Sequence, residues 1–318
     1  MLEVQHLVKR YGSKTAVEDL TFTIQDTGVY GLLGPNGAGK STTMNIVTGY
    51  ISATSGTVLV QGQDIVAQAA AAKRCIGYLP EQPPLYPDMT VEEYLRFAAE
   101  LKGIRPKTAR CEAVQAVSDR VGLQGTGRRL IGNLSKGYRQ RVGIAAALLG
   151  EPKIIILDEP TVGLDPAQVL EVRSLIRELG KTHTVILSSH ILSEVQSICD
   201  DVLILAHGKL IARGTPHELA QRLSAKGSIS ATAQGSREDV LRAASGVAGL
   251  QNITVTAEEN GEISFTAESA AGADLRGALS QALAAAGCPV LRLSAQTASL
   301  EDVFLQLTDG APAKEEQL

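Results

Sequence analysis

The 318-residue sequence contains no tryptophan, and its aromatic residues amount to 3%. Proteins that hold single-stranded nucleic acid stack bases on such rings, so composition argues against that class. Positive charge is not in excess either: 30 Lys and Arg against 34 Asp and Glu leave a formal charge of −4. No nucleic-acid partner is therefore expected. The four cysteines, Cys75, Cys111, Cys199 and Cys288, form no CxxC pair and stand at no metal-ligand spacing from a histidine. That excludes a zinc motif and a disulfide framework, and leaves plain thiols in a reducing compartment. Apolar runs such as Val142 to Leu149 fall far short of the roughly 18 to 20 residues of a membrane span. The opening MLEVQHLVKRYG lacks the apolar core and cleavage site of a secretory signal. The expected location is the cytoplasm, with any membrane role carried through a partner.

What is present is ordinary globular composition, with 44% hydrophobic and 20% charged residues. The length predicts two domains. Up to about Leu223, short β-branched runs alternate with helical patterns, which predicts an α/β unit around a largely parallel sheet. Strands are expected over Leu2 to Lys9, Val29 to Leu33, Cys75 to Leu79, Ile154 to Leu157, Thr184 to Leu187 and Val202 to Leu205. Helix punctuation is clear: Asp165 with Pro166 as cap and first-turn proline, Gly180 as terminator, and capping boxes at Thr90 to Glu93 and Thr215 to Glu218. A junction at 224–228 separates a second unit at 229–308 whose strand and helix order, βαββαβ, is that of ferredoxin-like α+β domains. A last helix is expected to begin at Ser299, and residues 309–318 read as a disordered tail.

The segment GLLGPNGAGKST follows a predicted strand and opens a predicted helix. Its Gly34, Pro35, Asn36, Gly37, Ala38, Gly39, Lys40 and Ser41 fit GxxxxGK[ST], with Thr42 next. Glycines let backbone N–H groups curl around phosphates, and the helix N-terminus adds partial positive charge behind them. In that pattern Lys40 reaches the β- and γ-phosphates and the Ser41 hydroxyl binds Mg²⁺. A second element, IIILDEP, is a buried strand that delivers Asp158 and Glu159 to the sheet edge where α/β proteins bind ligands. Asp158 suits the Mg²⁺ shell, and Glu159 suits polarisation of a water for in-line attack.

The stretch NLSKGYRQRVGIAAALLG places Ser135 and Gly137 at the start of a helix, where Ser135 would serve as an ordinary cap. It also resembles the LSGGQ signature of ATP-binding cassette (ABC) ATPases, with Lys136 and Tyr138 as departures. The resemblance covers roughly residues 1–223. It implies that Gln82 of YLPEQ senses Mg²⁺ and couples to a membrane subunit. It also implies that Asp165 lies in the D-loop, that His190 of LSSH contacts the γ-phosphate, and that Tyr11 stacks on adenine.

The fold so implied is a P-loop NTPase of the ABC type: a RecA-like core, an antiparallel β piece and a helical subdomain at about 87–149. The implied cofactors are ATP and Mg²⁺. The implied partners are a second copy, closing head-to-tail on ATP, and a separate integral-membrane permease. Such a chain would lie peripherally on the cytoplasmic face of the inner membrane. LSKGYRQR, the YLPEQPPLYPDMTVEEYLRFAAELKG run and the ending ASLEDVFLQLT look like bacterial exporter ATPases of the drug-resistance and gliding-motility branch. The catalytic motifs are shared with importer ATPases, which remain the alternative. A soluble ABC ATPase acting on DNA or ribosomes typically carries two cassettes, long coiled-coil insertions or zinc-binding cysteines, none of which this sequence shows.

Overall fold

The structure, a computed structural model, describes residues 1–223, 227–259, 261–269 and 274–296. The helix expected from Ser299 and the tail 309–318 lie outside those residues. The chain divides into two compact units, Met1–Pro216 and His217–Leu318.

The first unit holds two sheets. One is antiparallel, in the order β2 (Lys14–Ile24), β1 (Leu2–Tyr11), β4 (Ser55–Val60), β5 (Gln63–Asp64). The expected first strand therefore forms but does not enter the parallel sheet. The second sheet runs β10 (Lys209–Gly214), β9 (Asp201–Ala206), β3 (Gly28–Leu33), β8 (Thr184–Ser189), β7 (Ile154–Asp158), β6 (Ile76–Leu79). All its pairs are parallel except β10 with β9. Both faces of this sheet are covered, which is why β7 reads IIILD with every residue buried. Each fully buried isoleucine contributes about 1.5–3 kcal/mol.

Helices α1 (Lys40–Val47) and α2 (Ala69–Arg74) come early in the unit. Next come α3 (Val91–Leu101), α4 (Lys107–Arg120) and α5 (Lys136–Leu148), which supply the expected helical stretch. Thr90 and Glu93 form the predicted capping box on α3. Helix α6 (Pro166–Gly180) starts as read, with the Asp165 carboxylate accepting from the Gln168 N–H at 2.9 Å. It also ends as expected, with Gly180 as the last helical residue; an added Cβ there would lie 2.5 Å from Val29 Cγ2, so close packing on β3 selects glycine. A short α7 (Leu192–Ile198) follows β8.

At the junction of α6 and β8, His183 is buried, and its Nδ1 lies 2.7 Å from Thr182 Oγ1 and 3.2 Å from the Leu179 carbonyl oxygen. Arg120, at the end of α4, approaches the same nitrogen at 3.5 Å. Burial first, and then the Arg120 charge, holds the ring below the ordinary histidine pKa of 6.5. The folded chain thus takes up this proton at lower pH than the unfolded chain. Stability is lost as pH falls from the ordinary histidine value through the lowered one. A His183→Gln variant is expected to lose less melting temperature between about pH 7.5 and 5.5. An equal loss in both proteins would show that another group titrates.

The division at Pro216 precedes the expected boundary at 223, so α8 (Pro216–Leu223) falls almost wholly in the second unit. The parallel sheet of the first unit ends at its β10 edge, two residues earlier. The second unit continues as β11 (Gly227–Gln234), α9 (Arg237–Ser245), β12 (Leu250–Glu259), β13 (Glu262–Ser269), α10 (Arg276–Ala285) and β14 (Val290–Gln296). Its sheet is antiparallel in the order β12-β13-β11-β14, the ferredoxin-like topology. Alternating burial along β13 turns Ile263, Phe265 and Ala267 into a core shared with Val240, Leu279 and Leu283.

Candidate functional site

The loop between β3 and α1 is built on glycine for two separate reasons. A Cβ at Gly34 would sit 2.5 Å from the Leu205 carbonyl oxygen of β9, so the loop can pass there only without a side chain. Gly39 has φ of 100° and caps α1. The turn aims the first N–H groups of α1 into a cavity of about 440 Å³. Tyr11, Pro35, Asn36, Gly37, Gly39, Lys40, Ser41, Thr42, Glu159 and His190 all line that cavity. Gly34 and Ala38 are buried within the loop itself.

Lys40 is 6% exposed, with Nζ donating to the carbonyls of Gly34 at 2.6 Å and Pro35 at 3.2 Å. Burial lowers its pKa, while the carboxylates of Glu159 and Asp158 act in the opposite sense. The Tyr11 ring is half exposed at the cavity mouth, with Lys9 Nζ 5.0 Å from its centroid.

The acidic pair ends β7. Asp158 is buried and accepts from the Ser188 hydroxyl at 2.5 Å, and the same hydroxyl oxygen accepts from the Glu159 N–H at 2.9 Å. Glu159 adopts φ of 47°, so the strand stops there and its side chain turns toward β8. Both of its carboxylate oxygens lie 3.0 Å from His190 Nδ1. Burial and then the Asp158 charge push the neighbouring Tyr78 hydroxyl up to about 12.

Not every expected residue enters this cavity. Beyond β6 the Pro80, Pro83 and Pro84 backbone breaks strand pairing, and Gln82 lines a different cavity of about 510 Å³ with Pro83, Leu85 and Lys136. Its neighbour Glu81 lines both. Ser135 caps α5 by accepting from the Tyr138 N–H at 3.3 Å, Gly137 packs on the Gln168 side chain, and Asp165 caps α6. None of these three lines the cavity around Lys40. The sequence reading did not single out Lys14, Ala16, Glu81 or Val162, which complete the lining, nor Ser188 beneath it. For Glu81 the signal was adjacency to the motif residue Gln82, and for Ser188 its place in the LSSH motif two residues before His190.

The donors near the cavity, the Ser41 hydroxyl and the Asp158 carboxylate, are hard oxygens of the kind Mg²⁺ takes, completed by waters and substrate phosphates. Among the described residues no cluster of three His, Cys, Asp or Glu side chains forms a protein-only metal cage.

Residues 17–162 match the family model described as ABC transporter. Over 309 residues, 97% of this chain and 98% of the relative, the chain is 35% identical to the linearmycin resistance ATP-binding protein LnrL of Bacillus subtilis (strain 168). The chain belongs to the ATP-binding proteins of ABC transporters. Like the family, it binds and hydrolyses ATP. Another ABC relative, the bacitracin transport ATP-binding protein BcrA of Bacillus licheniformis, is 40% identical over 213 residues, 66% of this chain and 68% of that protein. A solved ABC structure, that of an ATP binding subunit of an ABC transporter, superposes with a TM-score of 0.63 at 32% identity. It covers 70% of this chain and 93% of that one. Among the described residues no helix is long and apolar enough to cross a membrane.

Proposed function

We propose that this ABC ATPase closes head-to-tail with a second copy around two ATP molecules and drives a separate membrane permease, exporting a substrate. The observation that carries this reading is the separation of the two half-sites. Tyr11, Lys40, Glu159 and His190 line one cavity, while Ser135 and Gly137 stand at the start of α5 outside it. A second copy would bring its α5 N-terminus, with the dipole and the Ser135 hydroxyl, to the γ-phosphate of the first.

At each ATP the Tyr11 ring stacks on adenine, and the Lys40 ammonium and α1 N–H groups hold the phosphates. Ser41 and Asp158 would hold Mg²⁺, which when bound would neutralise charge on the phosphate oxygens. Glu159 accepts the proton of the attacking water, and His190 fixes that carboxylate and contacts the γ-phosphate. Gln82, one residue from the cavity wall, passes the nucleotide state to the 82–87 loop, the expected contact with the permease. The two antibiotic-named relatives support export over import. The chain then works at the cytoplasmic face of the inner membrane.

Purification of the tagged protein from detergent-solubilised native membranes is expected to bring down a multi-span membrane protein in stoichiometric amount. Recovery only from the soluble fraction, with ribosomal or DNA-bound partners, would overturn the reading.

A further inference from the structure

Two strand exits carry the candidate chemistry, Glu159 after β7 and His190 after β8, and their side chains meet at 3.0 Å. Behind them, outside the cavity, lies Glu194 of α7, only 5% exposed. Its Oε2 accepts from the Thr161 hydroxyl at 2.7 Å and from the Ser189 hydroxyl at 3.2 Å. Thr161 stands two residues after Glu159, and Ser189 one residue before His190. Ser189 Oγ also accepts from the Ile191 N–H at 3.0 Å, which fixes the turn through His190. The other Glu194 oxygen faces Arg173 of α6 at 3.5 Å, a counter-charge for a carboxylate otherwise enclosed.

We infer that Glu194 is a positioning residue, whose one oxygen ties both strand exits and so holds Glu159 and His190 opposite each other. The inference rests on the proposed roles of that pair. Glu159 keeps a φ of 47°, a conformation that a non-glycine residue holds only when its surroundings fix it. A buried polar group is stable only with its partners in place, so moving either exit would leave Glu194 short of a donor. Gln140 of α5 supplies an independent hold, donating to the Pro160 carbonyl at 2.9 Å. The segment after Glu159 therefore stays anchored when Glu194 is cut, and the loss should fall on the aim of the two side chains.

The test uses the full-length chain and its ATP hydrolysis. Glu194→Ala is expected to lower kcat by about 10- to 100-fold while KM for ATP changes by less than about twofold. Glu194→Gln keeps an oxygen able to accept from both hydroxyls, and should recover kcat to within about threefold of the native value. Thr161→Val removes one donor without opening a cavity, and should lower kcat by about 3- to 10-fold. In a His190→Ala background the pair is already broken, so adding Glu194→Ala should cost less than about twofold more.

A full multiplicative loss in that double variant would overturn the inference. So would a defect confined to melting temperature with kcat per folded molecule unchanged. If Glu159→Gln and His190→Ala themselves hydrolyse ATP at the native rate, the proposed roles of the pair fall, and this inference with them. If those two variants are slow while Glu194→Ala is native, the positioning role alone falls.

Discussion

The Glu159→Gln protein is expected to bind ATP as the native chain does and to hydrolyse it about 10²- to 10⁴-fold more slowly. The substitution is nearly isosteric. It preserves the backbone N–H that donates to Ser188 Oγ and the side-chain reach toward His190, and removes only the ability to take up a proton. Position 159 has a φ of 47°, so a smaller or β-branched replacement would confound chemistry with backbone change. With turnover blocked, the closed pair should persist. In the presence of ATP the variant should run at about twice the 33.4 kDa of a single chain by size measurement. Hydrolysis at the native rate would put the base elsewhere, and a persistent monomer with ATP bound would count against head-to-tail closure.

Lys40→Ala acts one step earlier. The Lys40 ammonium is among the few buried charges of the first unit, and burial already depresses its pKa against the pull of Glu159 and Asp158. A desolvated cation at the wall of the cavity makes stronger bonds to phosphate oxygens than an exposed one. Removing it is expected to weaken ATP binding by about 10²- to 10³-fold in an equilibrium titration, the equivalent of about 3–4 kcal/mol. Arginine should not restore the affinity, because the planar fork cannot follow the path that brings Nζ back to the Gly34 and Pro35 carbonyls. Native affinity in Lys40→Ala would refute the assignment. The two variants separate cleanly, one slow but saturated and the other unsaturated.

The parts of the fold that were legible in the sequence are those specified by neighbours in the chain. The turn before α1 needs its glycines within six residues of Lys40, and the Asp165 and Thr90 caps act on N–H groups three residues on. Strand β7 declared itself because both its faces are covered, which permits an uninterrupted apolar run. Strand β2 is harder to see. Its buried residues follow an irregular spacing because its pairing with β1 is broken by register shifts. The ends of the site were also hidden. Ser188, a small hydroxyl on a strand, matters only because parallel register sets it opposite Asp158, thirty residues away. Glu194 reads as one more helical acid until Thr161 and Ser189 are brought to it. Gln82 was legible as a motif residue but not as a position, since the prolines around it carry the chain past the cavity wall.

The contact of Gly34 with the Leu205 carbonyl also sets a schedule for synthesis. Strand β3, which leads into the loop, has both of its neighbours far downstream in β8 and β9. About 170 residues therefore separate the emergence of the loop from that of the strand which backs it. At cellular rates of translation that is roughly 10–30 s. Throughout that interval ATP has no finished cradle to bind, and so cannot protect the nascent chain. A truncation that stops short of β9 leaves the entire phosphate motif in the polypeptide with no wall to close it.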